Sequence, residues 1–342
     1  MRCVLHAGAF KTGSTSIQQT LAAQDLPDAT FFRFHGDANC SAIMSQAYET
    51  DPEGRQRFHP QKPEYDPSVR EVFLKRLDEG IVAAARAGKT LVISAERIIA
   101  LSREAKARLA SDLSLRFDEV AVICYRRPPA DLAASVFQEV CKRRLPEFPT
   151  RLKAAGMALR VRDLDGAFGR ERVTVVPFDR EWLAEGDVLV DFARRTSLSI
   201  DLGRAVRANE RMSLEAAAFL YAAHRVGAHG GPVLGRVQGL RLAGACIGVG
   251  ERRLKFSPAA LAPLSGACLE GARWLCERMA YPLERFAFTP EGGIGSKAEL
   301  LAVLDDPALR LKLREAAARA ELQGPAAEAV EEALRPNKAA RA

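Results

Sequence analysis

The sequence predicts an α/β fold: a doubly wound parallel sheet with a P-loop-like phosphate site, plus a mostly helical C-terminal part. Three observations predict it. Short apolar runs alternate with helical periodicity over the first half of the chain. The first of these runs ends in a turn rich in glycine and hydroxyl side chains. From about residue 186 the apolar spacing is helical almost throughout.

Arg2 to Ala9 reads as a short buried strand, and Ile17 and Leu21 at i,i+4 mark the helix after it. Residues 35–68 carry Pro52, Pro60, Pro63 and Pro67 and few periodic apolar positions, which predicts a polar excursion or lid. Val69, Val72, Phe73, Leu77 and Ile81 then recur at helical spacing until Gly88. Thr90–Ile93 is a second strand, Ser102 an N-cap for a helix to about Leu115, and Glu119–Tyr125 a third strand. A helix follows Pro129, and Val173–Val176 is a fourth strand. Apolar strands in this alternation imply a sheet covered on both faces, with its site outside the strands' carboxyl ends. Helices are expected at Val188–Arg195, Leu214–Arg225 and Ala267–Met279. The domain division read from this is 1–290 for the α/β domain, with a glycine-rich insertion at 227–250. Residues 291–342 read as a helical C-terminal appendage of one or two amphipathic helices on the outside.

The 342 residues carry a net charge of +7, so an anionic substrate or partner is expected. The basic residues are spread along the chain rather than gathered in a tail, which speaks for a bound nucleotide or acidic sugar and not for nucleic acid. The seven cysteines are odd in number and scattered, with no CxxC pair, so neither a zinc site nor a disulfide framework is predicted. They read as reduced, mostly buried thiols of a cytoplasmic protein. No stretch reaches the ~18 apolar residues of a membrane span, and the N-terminus shows no secretory signal. Oligomeric state is left open.

Two segments carry the chemistry. The first is Gly8-Ala9-Phe10-Lys11-Thr12-Gly13-Ser14-Thr15-Ser16, between a strand and a helix. Glycine permits the tight turn, the amides at the helix start point at an anion, and three successive hydroxyls add donors. A kinase P-loop would place its lysine after the second glycine; here Ser14 stands there and Lys11 lies inside the loop. A lysine in mid-loop suits a shorter 5′ phosphate group rather than a triphosphate. The second segment ends the third strand in Arg126-Arg127-Pro128-Pro129 and continues as a helix carrying Ser135. An arginine at a strand end and a hydroxyl on the next helix's second turn can converge on one phosphate, for which the guanidinium fork is suited.

These two segments, in this order, resemble those of the sulfotransferase superfamily that uses 3′-phosphoadenosine 5′-phosphosulfate (PAPS). Phe10–Ser16 is similar to its 5′-phosphosulfate loop. Arg127-Pro128-Pro129-Ala130-Asp131-Leu132-Ala133-Ala134-Ser135 is similar to its 3′-phosphate motif. Weaker similarity to bacterial members runs through Val173–Phe178, Asp191–Leu198 and Asn209–Leu214. The resemblance implies no metal, and in-line displacement at sulfur with adenosine 3′,5′-bisphosphate (PAP) leaving. It places Lys11 against the leaving phosphate, Thr12, Gly13, Ser14, Thr15 and Ser16 around the 5′ phosphate, Arg127 and Ser135 on the 3′ phosphate, and Phe178 near adenine. The acceptor would be a carbohydrate, glycolipid or small molecule. The family's C-terminal glycine-rich, basic loop has only a poorly matched counterpart in Gly292-Gly293-Ile294-Gly295-Ser296-Lys297.

An acceptor hydroxyl must lose its proton as sulfur is attacked. Glu96, just past the second strand, is the first candidate base and His6, at the end of the first, is the second. Lys142, Arg143 and Arg144 form a cationic run that either is a solvated helix end or attracts a polyanion. Two other functions compete: a P-loop kinase of a small molecule, or a noncatalytic nucleotide-binding protein on the same fold.

Overall fold

The computed structural model describes residues 1–61, 64–149, 157–207, 212–262, 271–287 and 292–335. The chain forms two compact units. The first comprises Met1–Pro128, Gly156–Asn209 and Glu270–Leu283; the second comprises Pro129–Ala155, Glu210–Leu269 and Glu284–Ala342. The expected start of a helix at Ala267, the similarity at Asn209 and the thiol of Cys268 lie outside the described residues.

The first unit is built on a five-stranded parallel sheet of order β2-β3-β1-β4-β5. Its strands are β1 (Arg2–His6), β2 (Ala29–Phe31), β3 (Thr90–Ser94), β4 (Glu119–Arg126) and β5 (Val173–Pro177). All neighbouring pairs run parallel. The four longer runs fall where the sequence predicts them. The three-residue edge strand β2 does not announce itself, since so short a run carries no readable alternation. Cys3, Val4 and Leu5 of β1 and Leu91, Val92 and Ile93 of β3 are fully buried. A central parallel strand must be apolar on both faces because helices cover both. One face packs Val4, Val92, Ile123, Tyr125 and Val176 against Ile17 and Leu21 of helix Ser14–Ala22 and Leu189 and Phe192 of helix Val188–Thr196. Each such side chain contributes about 1.5–3 kcal/mol by leaving water.

Residues 35–61 are less of an excursion than their polarity suggests. They hold helices Ser41–Tyr48 and Pro52–Phe58. Cys40, Met44, Ala47 and Tyr48 are fully buried; the i,i+4 spacing of 40, 44 and 48 is the signal that the prolines mask. Ser102 caps helix Arg103–Ser114 as expected, accepting from the Ala105 amide.

The second unit is helical. Helix Pro129–Cys141 supplies Ala133, Ala134 and Phe137, and helix Leu214–Ala228 supplies Phe219, Leu220 and Tyr221, to one apolar core. The glycine-rich stretch 227–250 contains helix Arg236–Ala245. The last residues contribute helices Lys297–Ala302, Pro307–Arg319 and Pro325–Ala333. Leu300, Leu313, Ala316 and Ala329 are fully buried, so these helices are part of this unit's core rather than lying on its outside. Cys3, Cys40, Cys124, Cys141, Cys246 and Cys276 are buried thiols. Among the described residues no helix is long and apolar enough to cross a membrane.

Candidate functional site

β1 ends level with β3, since His6 pairs with both Ser94 and Ile123, and β4 runs three residues further to Arg126. The chain leaving β1 keeps bonding to β4: the Ala7 amide donates to the Ile123 carbonyl (2.9 Å), the Tyr125 amide to Gly8 (2.7 Å), and the Ala9 amide to Tyr125 (3.0 Å). The loop is thereby fixed against β4 before it turns. Gly8 has φ +98°, and a methyl group there would sit 2.5 Å from the Glu96 carbonyl oxygen, so only glycine admits this approach.

The turn then closes on itself. The Thr12 hydroxyl donates to the Ala9 carbonyl at 2.6 Å and the Ser14 hydroxyl to the same oxygen at 3.2 Å. Lys11 has φ +63°, a left-handed conformation that costs a residue with a side chain on the order of 1 kcal/mol. Gly13, at φ 77°, caps helix Ser14–Ala22. The first backbone bond of that helix runs from the Ile17 amide to Gly13, so the amides of its first turn precede it and face the loop. Thr12 is fully buried and its hydroxyl is engaged inside the turn, whereas Thr15 and Ser16 are half-buried. A β-strand, a glycine-bracketed turn and a helix N-terminus in this sequence make an anion cradle. The fold is P-loop-like α/β.

Beside the cradle stands Phe178, just past β5, whose amide donates to the Arg126 carbonyl at 2.7 Å. A methyl on Gly13 would lie 3.5 Å from Cε2 of this ring, and the Arg127 guanidinium lies over the ring at 4.5 Å from its centroid. The Tyr125 ring meets Phe178 edge-on at 6.5 Å. The structure therefore brings Gly13, Phe178 and Arg127 together. Tyr125 is held in turn by Asp191, a residue the sequence reading did not single out. Asp191 is 1% exposed, accepts from the Tyr125 hydroxyl at 2.9 Å and from the Ala184 amide at 3.0 Å, and pairs with Arg195 at 2.7 Å. Its signal was its place in the first turn of an amphipathic helix, which is too common to stand out.

Glu96 is half-buried at the carboxyl end of β3. Burial raises its pKa above the ordinary carboxylate value, partly opposed by the charges of Lys11 and Arg97 and by the side chains of Asn39 and Ser14. Lys11 and Glu96 are thus within electrostatic reach of each other. His6 is not brought to this cleft. Its ring is fully buried, bonded through Nδ1 to the Ser94 hydroxyl (2.8 Å), which Gln18 also contacts (3.0 Å), and packed edge-on against Tyr125 and Phe192. Burial pushes its pKa down to about 4.

Ser135 belongs to the second unit, half-buried on helix Pro129–Cys141, and Asp131 of the same helix pairs with Arg253 at 2.5 Å. Of the cationic run, Lys142 and Arg143 both pair with Glu139, at 3.2 and 2.9 Å. Two amides of the glycine-rich loop at 292–297 are engaged within the protein. The Gly295 amide donates to Glu299, the Ser296 hydroxyl accepts from the Glu299 amide, and the Ile294 amide donates to Lys255. That is a capping box, with a carboxylate where an anion would have to sit.

A family model for chloramphenicol phosphotransferase-like proteins matches residues 1–124 of this chain. The solved structure of a sulfotransferase from Alicyclobacillus acidocaldarius is similar at 16% identity, covering 66% of this chain and 92% of its own, with a TM-score of 0.38. No curated protein matches the chain.

Proposed function

We propose that this chain is a sulfotransferase that moves the sulfuryl group of PAPS to a hydroxyl or amine of a glycan, glycolipid or small-molecule acceptor. The observation that carries the reading is the contact chain Gly13–Phe178–Arg127. It brings the glycine of the loop and a forked cation to one aromatic ring, which supports a nucleotide phosphorylated at both 5′ and 3′ positions. In this reading the amides of residues 13–16, with the Thr15 and Ser16 hydroxyls, hold the 5′ phosphate, and Arg127 binds the 3′ phosphate. Lys11 stabilises charge on the bridging oxygen as the S–O bond to the nucleotide breaks, and Phe178 borders the adenosine. Glu96 takes the acceptor's proton as its oxygen bonds to sulfur; the raised pKa makes it a better base than an ordinary carboxylate. His6 supports the end of β1 through Ser94 instead.

Glu96→Gln keeps the size and hydrogen-bonding capacity of the side chain and removes its basicity. It should lower kcat by a factor on the order of 10²–10⁴ while nucleotide affinity stays near wild type. His6→Ala should lower the melting temperature before it touches kcat. An unchanged kcat in Glu96→Gln would show that another group is the base.

The family-model match over residues 1–124 favours a second reading, a small-molecule kinase. Against it stand the serine after Gly13, where a triphosphate-binding lysine belongs, and the two arginines that end β4. Thermal shift separates the two. Stabilisation by PAP without magnesium supports sulfuryl transfer, and stabilisation by Mg·ATP alone supports the kinase. A PAP shift with no sulfuryl transfer to any of a broad acceptor panel would leave a noncatalytic nucleotide binder.

A further inference from the structure

Arg126 immediately precedes the arginine assigned above to the nucleotide, and on an alternating strand its side chain points to the opposite face of the sheet. It is 5% exposed, and its Nε is buried with no hydrogen-bond partner. Among the described residues it makes no ion pair, and burial depresses its pKa with no carboxylate to oppose the shift. The neighbourhood adds cations rather than compensating them. Arg160, half-buried on helix Met157–Phe168, has its own pKa depressed by burial and then by the charges of Arg126 and Arg57. Arg57, at the end of helix Pro52–Phe58, is exposed; Arg97 overlies the Phe58 ring at 5.6 Å and lies within electrostatic reach of Glu96.

Two acids nearby, Asp163 and Glu49, are engaged elsewhere. Asp163 faces the fully buried Lys106 at 3.7 Å, and Lys106 also donates to the Leu101 carbonyl at 2.8 Å. Glu49 accepts from the amide and hydroxyl of Ser102 at 2.8 and 2.7 Å. Among the described residues Arg57, Arg97, Arg126 and Arg160 form no salt bridge with any carboxylate. A buried cation without a counter-charge is destabilising, and placing others near it adds repulsion. Such an arrangement is stable at neutral pH when an anion from outside completes it.

We propose that Arg126 and Arg160, with Arg57 and Arg97 towards solvent, form an oxyanion subsite that receives the acidic group of the acceptor. The ligand class is a carboxylate, sulfate or phosphate ester, which the planar guanidinium fork binds in two-point fashion. The link from Arg97 to Glu96 puts this subsite beside the proposed base, so an acceptor anchored by its acid presents a hydroxyl to Glu96. The word acceptor rests on the sulfuryl-transfer reading; the binding of an anion by these arginines does not.

The test is thermal shift with inorganic phosphate, inorganic sulfate and glucuronate, and glucose as neutral control, on protein with and without saturating PAP. Wild type should be stabilised by at least one anion and not by glucose, and the effect should persist when PAP fills the nucleotide site; which anion acts most strongly identifies the ester class. Arg126→Met matches the side chain's length and removes its charge. It should weaken the anion response roughly tenfold or more, keep the PAP response, and melt no lower than wild type, because an unopposed charge is gone. A structural arginine would instead lower the melting temperature and leave the anion response intact, which overturns the subsite. Arg160→Gln, at a half-buried helix position, supplies the same readout should Arg126→Met fail to fold. A PAP shift with no anion response refutes the subsite and spares the enzymatic reading; an anion response without a PAP shift does the reverse.

Discussion

Lys11→Met should lower turnover by a factor on the order of 10²–10³, with PAPS affinity changed far less. Methionine fills the space of the lysine stem, and the turn around it is closed by bonds that do not involve the lysine side chain, from Thr12 and Ser14 to the Ala9 carbonyl. In the sulfuryl-transfer reading, what is lost is a cation held where negative charge grows as the sulfuryl group departs. In PAPS the bridging oxygen is still bonded to sulfur and carries no charge of its own, so substrate binding senses Lys11 less than the transition state does. A second effect follows from Glu96, whose pKa Lys11 holds down. Without that cation the carboxylate is harder to ionise, so the acid limb of the kcat profile should move to higher pH. Single-turnover measurement across pH checks both. Wild-type turnover with an unmoved acid limb would remove Lys11 from the chemistry.

Arg127→Ala should raise the Kd for PAP roughly tenfold to a hundredfold, the worth of one or two charge-assisted hydrogen bonds. Adenosine 5′-phosphosulfate lacks the 3′ phosphate and provides the control: its affinity should be nearly equal in wild type and variant. Titration calorimetry with both nucleotides reads the difference. Equal losses for the two would mean that Arg127 acts by covering Phe178, 4.5 Å away, rather than by touching phosphate.

Much of this architecture is legible before any coordinates. The runs Arg2–Leu5, Thr90–Ile93, Glu119–Tyr125 and Val173–Val176 are apolar enough to be central strands, and their order with intervening helices makes the sheet parallel. Strand ends follow from those runs, so the positions of the first loop, Glu96 and Arg127 beyond three carboxyl ends follow too. What the sequence hides is long-range. Nothing local shows that His6 faces the core while Glu96 does not, because both end apolar strands. The i,i+4 pattern of Cys40, Met44 and Tyr48 is obscured by neighbouring prolines and charges. The second unit is assembled from three separate stretches of chain, and no composition change marks where each enters it. The missing partner of Arg126 is likewise invisible in one dimension, because an arginine's counter-charge can come from anywhere in the chain.

The approach of Gly8 to the Glu96 backbone, too close for any side chain between them, has a consequence for how this protein could diversify. The two pieces are in mechanical contact through main-chain atoms, so in the sulfuryl-transfer reading the spacing between departing phosphate and proton acceptor does not depend on side-chain choice elsewhere. The walls that meet the acceptor can then be rewritten residue by residue while the reaction geometry stays constant. Selectivity and chemistry become separable traits, and changing which molecule is modified need not begin by sacrificing rate.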